Sequence, residues 1–531
     1  MTGIIITLLI ILYRIPLINI LGDKGMGYYS TALVIYLLFM TCIAYGLPNA
    51  VTSLISTQRS KGQNALAYQT ARSSLLYAVV AGGGCALLLF LCADFIASYL
   101  MNSSYSALAI RAFAPGLVFI SLLGALHGIF MGSHAVSISK TAHKIENFFV
   151  AILSIVLAFL FTGYGKDIAI TNSDTAYESA YSAFGAALGM TAGVFIAFIF
   201  SFILYGHLRK KLEIYARKDK ESKAVPNREL IKNIITAMVP FVLTLVIFHL
   251  SSLLDYAIFN RMMNVQGHKE SSYIILLGML NGKYEFYISI PLLIINWFAT
   301  SKVPVMTKII KDGNKRKIQS KIGQCVRYCM ILTIPWTMIY ILFPGGLMNL
   351  LFTGTNDIPA MLLRTGAVSI IFYSLAAISN AALNALEDWS SVSKNTMIAL
   401  AVQVICLLIM MIILQWGIIA VVVSRIIFSA ALFILNEHTL RERTGYIQEH
   451  KRTFNIPIIA SLIMGAVTFV LYLILNIFIS DKIAVIIVIA IAIPVYIMAL
   501  VFLGGITQRE MYKIPGGKYL APLCRKLHLV K

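Results

Sequence analysis

Apolar runs long enough to cross a bilayer recur from one end of this chain to the other. A spanning helix needs roughly 20 predominantly apolar residues. About fourteen such stretches can be counted, centred near Leu9, Leu38, Leu87, Phe119, Ile152, Ile196, Val246, Ile294, Thr333, Ile371, Cys406, Phe428, Phe469 and Ile491. In hydrocarbon every backbone N–H and C=O must be bonded within the protein, which only helices and closed barrels achieve. A barrel would show short segments of alternating polarity, and the sequence has none. Composition agrees: 59% of the 531 residues are hydrophobic and 12% charged, where a soluble domain carries about 25% charged residues. The expected fold class is an all-α integral membrane protein. Ile4 to Leu12 lacks the basic leader and small-residue cleavage site of a signal peptide. It reads as the start of a first span that is short, as though a turn or two were missing ahead of it.

The polar connections alternate in charge. Arg59 and Lys61, Lys140 and Lys144, the stretch "HLRKKLEIYARKDKESKAVPNRELIK", Lys308 to Lys321, Arg441 to Arg452 and the tail from Arg509 to Lys531 are basic. The intervening connections "MNSSYS", "GTNDIP", "LQWGI" and "FISDKI" are poor in Lys and Arg. The positive-inside rule places the basic set in the cytoplasm. An even number of spans then puts both termini there. Most of the net charge of +21 is accounted for by topology and contact with anionic lipid, so nucleic acid is not an expected partner. The connection near residues 207–230 reads as an amphipathic helix on the membrane surface.

The two halves repeat. "SALAIRAFAPGLVFISLLGALHGIFMGSHAVSISKTAH" matches "AMLLRTGAVSIIFYSLAAISNAALNALEDWSSVSKNTM". Arg111 and Arg364 lie 253 residues apart, Lys140 and Lys394 254, Pro48 and Pro304 256. The near-constant offset predicts duplication of a six-helix unit, with both copies in the same orientation. The expected organisation is an N-terminal lobe at 1–206, a cytoplasmic linker at 207–230, a C-terminal lobe at 231–440, two extra helices at 453–505 and a basic cytoplasmic tail at 506–531. In parallel-repeat transporters the substrate site lies between the halves.

Charged residues inside spans are costly, about 2.5–3.5 kcal/mol for Arg at a helix centre, and so mark sites. The candidates are Arg14, Glu146, Asp255, Arg261, Lys283, Glu285, Lys302, Arg364 and Arg425. The cations Arg14, Arg261, Lys283 and Lys302 are expected to face one cavity. A guanidinium suits phosphate. For Arg111, Arg261, Lys283 and Lys302 the competing reading is snorkelling to the interface; for Arg364 and Arg425 it is pairing with carboxylates or headgroups. Glu146 alternatively pairs with Lys140 or Lys144. Asp255 would titrate, bind a cation or pair with a base. Asn384 and Asp388, four apart on one helix face, would add oxygen ligands for Na⁺ or a relay for H⁺. No certain metal site and no cofactor motif is present. The seven cysteines read as small buried hydrophobes.

The stretches "YRIPLINILGDKGMGYYS", "YGLPNAVTSLIS" and "ISIPLLIINWFATSKVPVMTKI" resemble the polysaccharide-transport branch of the multidrug/oligosaccharidyl-lipid/polysaccharide (MOP) exporter superfamily. Within that branch they resemble the SpoVB/MurJ-like lipid II flippases of Gram-positive bacteria. The resemblance implies two six-helix lobes forming a V, with residues 453–505 making a groove for lipid tails. It implies alternating access that carries an undecaprenyl-pyrophosphate-linked saccharide from the inner to the outer leaflet of the bacterial cell membrane. Arg14, Lys283 and Lys302 are the implied pyrophosphate contacts. Asp255 and Asp388 are the implied groups for coupling to Na⁺, H⁺ or the membrane potential. Implied partners are the lipid-linked glycan, membrane lipids and cell-wall synthesis proteins. The chain departs from the family's pattern at Glu146, which Val150 follows where an Arg is usual, and in "GIFMGSHAVSISKTAH", which lacks the usual proline.

The alternatives are a flippase for another lipid-linked polysaccharide unit and a drug/cation antiporter of the same superfamily, whose cavity would be acidic. No G-x-x-x-x-G-K-[ST] loop appears. The outer connections are too short and carboxylate-poor for a glycosyltransferase, so an enzyme is not expected.

Overall fold

The computed structural model describes residues 11–219, 222, 225–354 and 357–505. Among these, all regular structure is helical. Twelve helices are long and apolar enough to cross a membrane, and thirteen when the bent pair Asp357–Gly366 and Ser369–Ala385 counts as one. Every expected centre from Leu38 to Ile491 falls in one of these helices. The remaining one, Leu9, and the basic tail at 506–531 lie outside the described residues.

The described residues form two compact units. The first runs to Gly282 and includes Leu408–Ile418; the second comprises Lys283–Leu407 and the chain from Ile419 onward. In the first unit the helices are α1 (Arg14–Met40), α2 (Leu47–Ser60), α3 (Asn64–Leu91), α4 (Ser106–Gly132), α5 (Val136–Thr171), α6 (Ala176–Lys218), α7 (Asn227–Val265) and α8 (Glu270–Gly278). Helix α6 has 43 residues, about 65 Å at 1.5 Å per residue, roughly twice the hydrocarbon thickness. Residues 207–218 therefore continue this helix without a break, where the sequence suggested a separate surface helix.

Helix α4 is the centre of this unit, with 72% of its apolar window buried against 22% for α5. Without a hydrophobic force between helices in lipid, close approach through small residues has to supply the packing. Helix α6 does so with Gly185, Gly189 and Gly193: a Cβ at Gly189 would sit 2.4 Å from the carbonyl O of Leu153 on α5. Of the triplet Gly82–Gly84 in α3, only Gly82 meets a neighbour, Ser121 of α4.

Helix α1 carries the decisive irregularity. Gly22 adopts φ 62° and ψ −179° and breaks the helix; a side chain at positive φ would be strained there. Beyond the break, Gly27 lies against the carbonyl of Ile274 and Gly278 against that of Asp23. Glycine alone lets α1 and α8 touch backbone to backbone.

The second unit contains α9 (Glu285–Lys311), α10 (Lys315–Leu342), a short α11 (Pro344–Leu351), α12 (Asp357–Gly366), α13 (Ser369–Ala385), α14 (Trp389–Ile412), α15 (Ile418–Thr444), α16 (Ile456–Phe478) and α17 (Asp481–Phe502). Its apolar core gathers Ile295, Cys325, Cys329, Met330, Ile378 and Val392. Asn395 of α14 donates to Asn436 Oδ1 and Thr439 Oγ1 of α15, both at 3.0 Å, and Asn436 donates to Asn380 Oδ1 of α13 at 2.7 Å. Helices α16 and α17 pack on each other, with Gly465 of α16 closing on Met338 of α10.

A methyl group at position 278 would fall 1.7 Å from the carbonyl O of Asp23. Gly278→Ala should therefore destabilise the fold by roughly 1–3 kcal/mol, read as a lower melting temperature in detergent. Gly83→Ala, where a Cβ meets nothing within 4 Å, should leave melting unchanged or raise it slightly. Equal melting of both variants would contradict the backbone contact.

Candidate functional site

Between α8 and α9 the chain forms a π-helical turn, Met279–Tyr284. Such widened turns recur at functional sites. This one holds the polar triple Asn281–Gly282–Lys283 inside an otherwise apolar run. The Gly27–Gly278 contact brings α1 alongside it. Asn281 is 5% exposed and fully engaged: its Nδ2 donates to Ser30 Oγ at 3.2 Å and Leu277 O at 2.9 Å, and its Oδ1 accepts from the Tyr256 hydroxyl of α7. Its backbone carbonyl accepts a long hydrogen bond, 3.5 Å, from the Arg14 guanidinium.

Arg14 thus sits on the short arm of α1 before the Gly22 break, half-buried. A guanidinium carries five N–H donors; among the described residues this one makes a single long hydrogen bond and no ion pair. That leaves its remaining donors available to an anion.

The other expected residues fall into distinct environments. In the first unit Asp255 of α7 is 1% exposed, beside Tyr256 in sequence but about 100° round the helix from it. Arg261, near the end of α7, is exposed. Glu146 of α5 pairs with the His143 imidazole at 3.2 Å, rather than with Lys140 or Lys144. In the second unit Lys283 is buried, 3% exposed. Glu285 forms an ion pair with Arg425 of α15. Lys302 is half-buried and lies over the Phe298 ring, 4.9 Å from its centroid. Arg364, in the last turn of α12, is exposed. Asn384 has a buried Oδ1 without a hydrogen-bond partner.

Asp388 precedes α14. Its Oδ1 accepts from the Ser391 N–H at 3.2 Å, as a helix N-cap does, and its Oδ2 accepts from Arg443 at 2.9 Å. Partial burial acts to raise its pKa, but the hydrogen bonds from Ser391 and Arg443 outweigh this and hold it below the usual carboxylate value. Such a carboxylate stays ionised and structurally engaged.

The sequence profile of the family described as "Polysaccharide biosynthesis protein" matches residues 1–310. This chain belongs to that family. Among curated relatives, it is 20% identical to Stage V sporulation protein B of Bacillus subtilis (strain 168), over 76% of this chain and 74% of that one. It is 21% identical to Lipid II flippase MurJ of the same strain, over 69% and 66%. A third relative from that strain, the membrane protein YabM, is 23% identical over 99% and 95%. Among solved structures it is similar to an inward-facing multidrug resistance MATE family transporter of the MOP superfamily (TM-score 0.65, 14% identity, 83% of this chain and 94% of that one). It is likewise similar to lipid II flippase MurJ in an inward closed conformation (TM-score 0.63, 15% identity, 93% and 98%). The fold is the all-helical fold of these MATE and MurJ structures.

Asn281, Tyr256 and Ser30 carry no charge and escaped a search for charged residues in spans. The signal that finds them is an Asn–Gly–Lys triple within an apolar helix.

The Glu285–Arg425 pair is largely sheltered, with side-chain exposures of 32% and 8%. Removing either partner strands a charge. Glu285→Leu and Arg425→Leu should each lower the melting temperature. The double variant should regain part of the loss, with a coupling of roughly 1–3 kcal/mol. Additive losses would show that the two side chains act independently.

Proposed function

We propose that this chain is a flippase for an undecaprenyl-pyrophosphate-linked saccharide, with the peptidoglycan precursor lipid II as its substrate. Family membership and the MOP transporter fold supply the class. The observation that carries the reading is Arg14: a half-buried guanidinium among apolar spans, with no carboxylate paired to it among the described residues. A fixed cation in that setting is unfavourable unless an anion visits it, and a diphosphate matches its planar fork of donors. The relative named as a lipid II flippase supports lipid II among such lipids.

In this reading Arg14, Lys283 and Lys302 neutralise the diphosphate as it crosses. The two repeats rock about it in alternating access, delivering the headgroup from the cytoplasmic to the outer leaflet. Buried Asp255 is the coupling group for Na⁺ or H⁺. The basic loops and both termini face the cytoplasm, and α16 and α17 guide the polyprenyl tail. Asp388, engaged by Ser391 and Arg443, is the secondary coupling group. A flippase for a different lipid-linked saccharide shares every one of these elements and differs only in the sugar.

Reconstituted vesicles carrying labelled lipid II, or a different undecaprenyl-pyrophosphate saccharide, test this through accessibility of the label to an external probe. Wild type should translocate lipid II. Arg14→Ala should slow it at least about ten-fold, equivalent to losing about 1.4 kcal/mol of stabilisation, with unchanged melting; Arg14→Lys should retain part of the rate. Movement of the second lipid alone would reassign the sugar. If neither lipid moves and a cationic dye does, the chain is an antiporter.

A further inference from the structure

A second cluster, which includes the Glu146–His143 pair, lies where α4 turns into α5. His127 is six residues from the Ser133 that ends α4. On α5, Ser139, His143 and Glu146 are spaced by four and three, which places them on one helix face. That face meets His127. The His127 Nδ1 lies 2.6 Å from Ser139 Oγ, and the two imidazoles stack with centroids 3.9 Å apart and planes at 17°. His143 Nδ1 lies 3.2 Å from Glu146 Oε2. One ligand atom from each of His127, His143 and Glu146 can be chosen so that all three lie within 4.8 Å of one another.

His127 supplies the independent observation. It is 2% exposed, and its Nε2 is buried with no hydrogen-bond partner. An orphaned buried polar atom costs about 1–3 kcal/mol. With Nδ1–H donating to Ser139, Nε2 carries a lone pair. This is how metal-binding imidazoles are held: one nitrogen oriented by a neighbour, the other presented to the ion.

We propose that His127, His143 and Glu146 bind a zinc-class divalent cation, oriented through Ser139, which clips the end of α4 to the start of α5. Two imidazoles and one carboxylate form a donor set typical of zinc, with a fourth position left for water. Oxygen-seeking Mg²⁺ and Ca²⁺ do not favour it. Bonds of about 2.0–2.2 Å require the ligand atoms to draw together and the stack to open. His143 can do this, because its side chain is 54% exposed and Glu146 is already beside it. His127 stays fixed by burial. The turn between the helices, Ser133–Ala135, is short, so the clip would rigidify the junction of two long spans. The site stands independently of the flippase reading.

The test uses the full chain without a polyhistidine tag, purified in detergent and stripped with chelator. Zn²⁺ affinity is measured by competition with a chromophoric chelator, and melting is followed with Zn²⁺ or Mg²⁺. Wild type should bind one Zn²⁺ that Mg²⁺ does not displace, and zinc should raise its melting temperature. His143→Ala and Glu146→Gln should weaken binding at least about ten-fold, as should Ser139→Ala through loss of the orienting contact; each should abolish the melting shift. Lys144→Ala should change neither. The exposed His143 side chain leaves the core unchanged when it is removed, and Glu146→Gln reads the site separately. Absence of zinc binding, equal binding by wild type and His143→Ala, or an equal shift with Mg²⁺ would overturn the site.

Discussion

Hydrocarbon offers no hydrogen bonds, and the interior of this protein follows from that. Every polar group within the spans must find its partner in the protein. The partners come from helices brought unusually close. Gly27 and Gly278 let α1 and α8 touch backbone to backbone; that contact seats the π-turn beside α1, so that Asn281 reaches Ser30 and its carbonyl meets Arg14. The same necessity produces the asparagine network of α13, α14 and α15 and the Glu285–Arg425 pair. The Arg14 guanidinium, with a single long hydrogen bond, and the buried His127 Nε2 and Asn384 Oδ1, without a partner, stand out against these engaged groups.

Much of the fold was legible because span length and apolar content are one-dimensional properties. Each expected centre from Leu38 onward lies in a helix. The resemblance carried by "YRIPLINILGDKGMGYYS" led to the family that the sequence profile confirms. Contacts between helices were not legible, since an apolar run does not disclose which face meets which neighbour. Glu285 could be flagged as a costly charge, but its partner Arg425 lies 140 residues away. Glu146 looked toward the lysines near it in sequence, and folding instead set it beside His143 and His127. The π-turn is invisible to a periodicity of 3.6, although the polar triple within it marks the place.

The segments around Arg111 and Arg364, matched in sequence, differ in their surroundings. Arg111 begins the continuous helix α4 and pairs with Asp94. Its counterpart Arg364 ends α12, where the chain bends by 44° into α13, and is exposed. The matched segments thus share the cation and differ in what surrounds it.

The proposed recognition of a diphosphate by the half-buried Arg14 is open to direct measurement. Purified chain in detergent would be titrated with undecaprenyl diphosphate and undecaprenyl monophosphate, for wild type and Arg14→Ala. Tighter binding of the diphosphate by wild type, with the preference falling at least about ten-fold in Arg14→Ala, a difference of about 1.4 kcal/mol, is the expected result. Equal binding of the two lipids, unaffected by the substitution, would show that the guanidinium does not read the headgroup.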